Sequence, residues 1–384
     1  MKTLQISKFY PPVMGGIESV AFELTEGLNR QGVETDVLCA HTGSSTLRER
    51  SAIGYRIVRA GSLGKLLSTS MSPAMLLAAR RMCDDYDVIH VQMPDPMAAL
   101  ALWFARPRAK IVLHWQSDVI NQRRALKLYE PLQSWLLRRA DAIIATTPPY
   151  ADASPSLQAW KSKVEVIPLG ITPIDSRGAV DKASALRQRF GGRKIVFSLG
   201  RMTYYKGFDV LIDAARMLPA DALVVVGGGG ELLQTYRDRV AAEGLVGRIE
   251  FVGRIPDEDL PGYFEAASVF CLSSIVRAEA YGVVLLEAMA MGKPIVTTDI
   301  PGSGVPWVNQ HEVTGLNVPV GDGRAMAAAL TRILEDDALA TRFGEAGKQR
   351  FMTQLTAETM VARTLSLYRR LMAGAPQASA APNL

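Results

Sequence analysis

Short apolar runs of strand length alternate with amphipathic runs of helix length along this chain, and the alternation occurs twice. In the first series the strand-like runs are residues 3–7, 34–40, 88–92, 111–115, 142–146 and 164–169, and the helical runs are 16–29, 73–83, 96–104 and 125–138. Strand-helix alternation at this spacing specifies a parallel sheet with helices on both faces. Residues 170–179, containing Gly170, Pro173 and Gly178, form a turn-rich connector. A second series follows, with strands at 195–199, 223–227, 249–252, 269–272 and 295–298 and helices at 208–216 and 232–242. The 384 residues, 48% of them hydrophobic, suffice for two packed cores. The expected fold is α/β, with two Rossmann-like domains, 1–172 and 173–356, facing each other across a cleft. Ligands of such sheets bind outside the carboxyl ends of the strands.

Composition narrows the setting. The chain enters its first strand at once and is read as lacking a signal peptide. Its longest apolar run, 97–105, is far shorter than the ~20 residues of a membrane span. Cys39, Cys83 and Cys271 show neither metal-ligand spacing nor an even disulfide set, which points to a reducing cytoplasm. Residues 1–170 carry 20 Lys and Arg against 15 Asp and Glu, and residues 171–384 carry 23 against 23, so the whole excess of +5 lies in the first half. A basic half with few interleaved aromatics favours an anionic membrane surface over nucleic acid, with a merely solvated surface as the alternative.

The densest functional signal is Glu279-Ala-Tyr281-Gly282-Val283-Val284-Leu-Leu-Glu287, between a buried strand at 269–272 and the stop signal Gly292-Lys293-Pro294. A helix starting at Gly282 points the free N–H groups of Gly282, Val283 and Val284 outward, and these donors with the positive helix end suit a diphosphate. Glu279 in the loop and Glu287 about one and a half turns into the helix can flank an elongated ligand such as a sugar nucleotide. Arg201 and Lys206 bracket the loop after the first strand of the second half, so both cations can turn onto one diphosphate. Gly15-Gly16, between the first strand and the first helix, makes a glycine-lined turn of the same kind. The four glycines 227–230 end another strand and open the next helix. His114 closes the strand 111–115, where a ligand would lie, whereas His90 reads as a packed core histidine. No Asp-x-Asp follows a strand and no cluster has ligand spacing, so no metal or other cofactor is expected.

Arg277-Ala-Glu279-Ala-Tyr-Gly282-Val-Val-Leu-Leu-Glu287-Ala-Met-Ala-Met-Gly-Lys-Pro closely resembles the Glu-x7-Glu signature of the retaining glycosyltransferases of family four, which have the GT-B fold. Nearly the whole chain shares the resemblance. It implies a metal-independent retaining transferase in which Arg201, Lys206 and the Gly282 helix end stabilise the departing nucleoside diphosphate. Glu279 would hold sugar hydroxyls, Glu287 the ribose, and His114 of a His-x-x-x-Asp element ending at Asp118 the far side of the sugar. Gly15 and Gly16 would face the diphosphate and acceptor, and Arg254-Ile255 the base. A helix over 357–373 would cross back to the first domain, ahead of a disordered tail, 374–384. Thr172 departs from the acid frequent after the connector's Gly-Ile.

The context around Glu279, with Gly302-Ser-Gly-Val-Pro-Trp-Val-Asn309, looks most like bacterial O-antigen mannosyl- and rhamnosyltransferases that use GDP-linked sugars, with UDP-linked sugars as the alternative donor. The expected partners are a nucleotide-sugar and a glycan or lipid-linked acceptor. A non-catalytic two-lobed sugar-binding protein is the rival from another class, although it would not require Arg201 with Lys206. In the run 121–139, Leu128, Leu132, Trp135 and Leu136 share one helical face with Arg124 and Arg139 near its edges. That pattern fits an interfacial helix on anionic lipid, and it also fits a helix packed on its own sheet.

Overall fold

Two sheets carry the fold, and their interior strands, such as β7 and β12, are buried on both faces. The computed structural model describes residues 1–13, 15–66, 69–119 and 123–374. The chain divides into two units, Met1–Thr172 with the chain from Ala357 onward, and Pro173–Thr356. In the first unit the strands are β1 (Lys2–Ser7), β2 (Glu34–Ala40), β3 (Leu47–Arg50), β4 (Arg56–Ala60), a small hairpin of β5 (Lys65–Leu66) and β6 (Thr69–Ser70), β7 (Val88–Met93), β8 (Lys110–Trp115), β9 (Ala142–Ala145) and β10 (Val164–Val166). The second contributes β11 (Lys194–Leu199), β12 (Ala222–Gly227), β13 (Ile249–Gly253), β14 (Val269–Leu272), β15 (Ile295–Thr298) and β16 (Gly315–Val318). The helices are α1 (Gly16–Arg30), α2 (Pro73–Met82), α3 (Pro96–Ala105), α4 (Arg123–Arg139), α5 (Pro148–Ala153), α6 (Ala179–Arg189), α7 (Phe208–Ala215), α8 (Leu233–Ala242), α9 (Leu260–Ala266), α10 (Val283–Ala290), α11 (Val305–Val308), α12 (Gly323–Glu335), α13 (Asp337–Gln354) and α14 (Ala357–Met372).

The sheet orders are β10-β9-β8-β7-β1-β2-β4-β3 and β13-β12-β11-β14-β15-β16. Every described pairing of the second sheet is parallel. In the first, only the edge strand β3 runs antiparallel to its neighbour β4. Within the second sheet the order reverses between β11 and β14, the topological switch point where open α/β sheets bind ligands. Local chemistry sets the helix starts. Ser72 accepts from the Met75 N–H ahead of Pro73, and Asp95 accepts from the Met97 and Ala98 N–H groups ahead of Pro96.

The returning helix α14 belongs to the first unit and packs on α1. A Cβ on Gly27 of α1 would stand 2.4 Å from Val361 Cγ2 of α14, so the contact needs the glycine. Farther along, Tyr368 Oη lies 2.5 Å from His90 Nδ1, and Arg370 pairs with Glu165 of β10. Residues 375–384 of the expected tail lie outside the described residues.

Sequence reading passes over β3, β4, the β5–β6 hairpin and β16. The strand β3, Leu-Arg-Glu-Arg, is exposed at all four positions, so it carries no period-2 apolar signal. In β4 the signal is broken by Arg59, which is nonetheless buried because Glu49 and backbone carbonyls hold it. The interfacial reading of 121–139 falls in part on residues outside those described. Arg123, Arg124, Leu126, Lys127 and Leu128 have side chains outside the described residues, but Leu136 is fully buried and Leu137 nearly so. Arg139 is committed to Asp141 and to the carbonyls of Pro107 and Ala109. Within the described part of α4 the predicted apolar face is thus buried at Leu136 and half-buried at Leu132 and Trp135.

Candidate functional site

At the switch point of the second sheet, the loops after β11 and β14 are joined through their backbones. A short 3-10 turn, Tyr204–Lys206, follows β11. The Ile275 N–H donates to the Tyr205 carbonyl at 2.9 Å and Ser273 Oγ donates to the Lys206 carbonyl at 2.9 Å. Gly207 ends the turn at φ 65°, and a Cβ there would fall 2.1 Å from the Ser273 carbonyl oxygen. Only glycine supplies both the left-handed backbone and the clearance.

This seam delivers the Lys206 side chain to Glu279. Lys206 Nζ is 2.5 Å from Glu279 Oε2, with the two side chains 11% and 10% exposed. Ser274 Oγ donates to the same carboxylate oxygen at 2.8 Å. Burial alone would lower the lysine's pKa, but the Glu279 carboxylate, assisted by Tyr205, outweighs it and raises the value above the usual lysine range. The Glu279 backbone is fixed as well, since its N–H donates to Val276 and its carbonyl accepts from Ser303 Oγ.

Three residues later Gly282 takes φ 76° and caps α10. The sequence places the helix start at Gly282, whereas α10 begins one residue on, because the left-handed glycine turns the chain into the helix axis. Among the described residues the N–H groups of Gly282, Val283 and Val284 have no acceptor, while the Leu285 N–H returns to the Gly282 carbonyl. Free N–H donors at the positive end of a helix suit an anion. Glu287, one turn further, is partly buried, and its carboxylate has no hydrogen-bond or ion-pair partner among the described residues. Desolvation, with Asp257 adding in the same direction, raises its pKa to about 7. A carboxylate held dry without a donor is suited to a ligand that brings donors, such as a ribose diol.

Other predicted residues fall elsewhere. Arg201 lies on the β11 loop, but its guanidinium is 74% exposed and stands 3.6 Å from Glu231, so it is not gathered with Lys206. The Tyr281 side chain is buried at 3% exposure in the electrostatic reach of Arg350. It packs the helix entry, so any contact of this residue with a ligand would be through its backbone. Ile255 is buried against Gly227, where a Cβ would come 2.5 Å from Ile255 Cδ1. Arg254 beside it is exposed and without a side-chain partner among the described residues. The glycines after β12 have a packing role: a Cβ on Gly228 would meet the Gly200 carbonyl oxygen at 2.0 Å, and the Met202 N–H donates to the Gly229 carbonyl.

In the first unit, Gly15 caps α1 in extended backbone, and a Cβ on Gly16 would meet nothing within 4 Å. Packing therefore does not require glycine at 16, and a close-approaching ligand would. Sequence reasoning missed the anchor of this turn, Arg59, whose guanidinium donates to the carbonyls of Tyr10 and Pro11. His114 is wholly buried inside β8, not exposed at the strand end, because its ring turns inward to His90. The two imidazoles are 3.2 Å apart, and burial drives the His114 pKa down to about 3. Asp118 accepts from the Trp115 indole and from Ser154 Oγ, so it secures its own loop. At Thr172 the absent acid is replaced by Glu23, whose carboxylate accepts from the Thr172 N–H and hydroxyl. Among the described residues no group of three or more His, Cys, Asp or Glu could hold a metal ion.

Residues 15–170 match the family described as "Glycosyl transferase 4-like domain", and residues 181–350 match "Glycosyl transferases group 1". The chain is 32% identical over 378 residues to the O-antigen chain mannosyltransferase C of Escherichia coli, covering 97% of this chain and 99% of that one. The chain belongs to the glycosyl transferases of group 1. This glycosyltransferase is also 32% identical over 363 residues to a D-rhamnosyltransferase of Pseudomonas aeruginosa, covering 93% of each. Its fold matches that of a sucrose-phosphate synthase from Thermosynechococcus elongatus with a TM-score of 0.81, at 24% identity, over 97% of this chain and 100% of the other. The GT-B fold follows, and a non-catalytic sugar-binding protein is set aside.

The environment of Glu287 has a measurable consequence. A carboxyl whose folded pKa is raised binds an extra proton in the folded state between its unfolded and folded values, so stability falls as pH rises through that window. From pH 5 to 8 the wild type should lose on the order of 1–3 kcal/mol relative to a Glu287→Gln variant. Urea denaturation at both pH values checks this. Parallel curves for the two proteins would contradict a desolvated, unpaired Glu287.

Proposed function

We propose that this glycosyltransferase moves a hexose, mannose or rhamnose, from a GDP-linked donor to a glycan or lipid-linked glycan acceptor in surface polysaccharide synthesis, with retention of the anomeric configuration and without a metal ion. The observation that carries the reading is the Lys206–Glu279 pair set three residues before the open N-terminus of α10, at the sheet's switch point. Lys206 and the helix end supply fixed positive charge where a nucleoside diphosphate leaves, and fixed charge at a developing anion is the main lever on such a reaction. Glu279 then receives sugar hydroxyls, and Glu287 the ribose. The likeness to an O-antigen mannosyltransferase and a D-rhamnosyltransferase supports the sugar. The sequence context of Glu279 supports GDP, and a UDP-linked donor is the second reading.

Product analysis with a panel of nucleotide sugars tests this directly. GDP-linked hexose should be turned over in excess EDTA with the anomeric configuration kept, and Lys206→Ala should slow turnover by about a hundredfold. Turnover restricted to UDP-linked donors would reverse the base. An inverted product, or activity lost in EDTA and restored by Mg²⁺ or Mn²⁺, would overturn the mechanism.

We further infer that the first unit docks on anionic lipid through α2 and α3. No helix among the described residues is long and apolar enough to cross a membrane. Leu100, Trp103 and Phe104 of α3 are 37%, 44% and 45% exposed, and stand at the i, i+3, i+4 spacing of a single helix face. Leu77 of the adjoining α2 is also exposed. Arginines border them: Arg80 donates to the Ala105 carbonyl at the end of α3, and the Arg106 guanidinium sits 5.9 Å from the Trp103 ring. Aromatic and aliphatic groups ringed by arginine suit the headgroup boundary of anionic bilayers. Wild type should co-sediment with anionic vesicles at low salt, and a Trp103→Glu, Phe104→Glu variant should stay in the supernatant. Wild type that ignores such vesicles would sink the docking surface.

A further inference from the structure

The Lys206–Glu279 pair places a full negative charge where the reaction product needs a positive one. The ammonium that would attract the diphosphate is already neutralised by the Glu279 carboxylate, in a setting where both side chains are about one-tenth exposed. With glutamine in place of Glu279 the Lys206 ammonium would lose its counter-charge, while the hydrogen bond from Ser274 Oγ would be accepted equally well by an amide oxygen. The second carboxylate oxygen, Oε1, has no partner among the described residues and remains able to accept hydroxyl donors.

We propose, resting on the transferase reading of this site, that Glu279 is a specificity-determining residue that makes the enzyme prefer the intact sugar donor over its nucleoside diphosphate product. The carboxylate opposes the diphosphate in both molecules, because like charges a few ångströms apart in a partly desolvated site repel strongly. Only the donor offsets that repulsion, by donating sugar hydroxyls to the free oxygen of Glu279. Once the sugar has been transferred the compensation is lost, the repulsion remains, and the product is expelled. The raised pKa of Lys206 fits this balance, since the pair holds the lysine cationic throughout. Lys206 keeps two N–H donors beyond the one used by Glu279, so it can engage phosphate without breaking the pair.

The experiment compares calorimetric binding of GDP and of UDP to wild type, to Glu279→Gln and to the double variant Lys206→Met, Glu279→Gln, alongside steady-state turnover. Glutamine preserves the shape and the Ser274 hydrogen bond while deleting the charge. Glu279→Gln should bind the cognate nucleoside diphosphate at least about tenfold tighter than wild type, show the matching fall in product inhibition constant, and turn over donor more slowly. The gain should vanish in the double variant. Equal or weaker diphosphate binding by Glu279→Gln, with a melting temperature near wild type, would overturn the discriminator role while leaving the transferase reading standing. A gain that persists without Lys206 would overturn it too. Failure of both nucleotides to bind all three proteins would instead remove the donor site itself.

Discussion

A buried ion pair costs more to desolvate than an exposed one, and it persists only where geometry and further hydrogen bonds hold both partners. The Lys206–Glu279 pair meets that condition through the seam between the loops after β11 and β14. Ser274 supports the carboxylate, Ser273 fixes the lysine's backbone, and Ser303 holds the Glu279 carbonyl. Gly207 permits the two loops to approach to a distance any side chain would forbid. The helix end at Gly282 follows on the same loop, so the charge pair and the free N–H groups of α10 are built by one segment.

The same economy shows in the turns after β12 and β13. Gly228 lets the chain pass the Gly200 carbonyl, and the Gly228 N–H donates to the Gly253 carbonyl. Four consecutive glycines here look like a phosphate cradle when read as sequence, yet two of them, Gly228 and Gly230, are demanded by contact with the loop that carries Arg201. Gly16 is the opposite case, a glycine whose missing side chain leaves room instead of relieving a clash. The distinction separates glycines demanded by packing from one that packing leaves optional.

Much of the fold was legible because strand-length apolar runs alternating with helical ones admit few solutions, and the interior strands β7 and β12 are buried at every position. The legible part of the site was what sequence spacing determines: Glu279, Gly282 and Glu287 lie on one loop-to-helix segment. Pairings between distant segments were not legible. Nothing in the spacing of Arg201 and Lys206 shows that one turns to Glu279 and the other to Glu231, because that depends on which side of the β11 loop each residue faces. The inward turn of the His114 ring was not legible for a related reason. A histidine near a strand's carboxyl end can face either layer, and here His90 and Tyr368, 278 residues apart in sequence, draw that face into the interior. Charged strands were lost because Arg59 hides the apolar pattern of β4 while anchoring the turn that leads to Gly15 and Gly16.

In the proposed transferase the diphosphate of the nucleotide donor rests between Lys206 and the N-terminus of α10. A crystal structure with bound GDP or UDP tests it most directly. The account predicts phosphate oxygens within hydrogen-bond distance of the Val283 and Val284 N–H groups and of Lys206 Nζ, with the ribose hydroxyls on Glu287. A diphosphate seated instead on the glycine turn of residues 227–230, with Lys206 untouched, would contradict it.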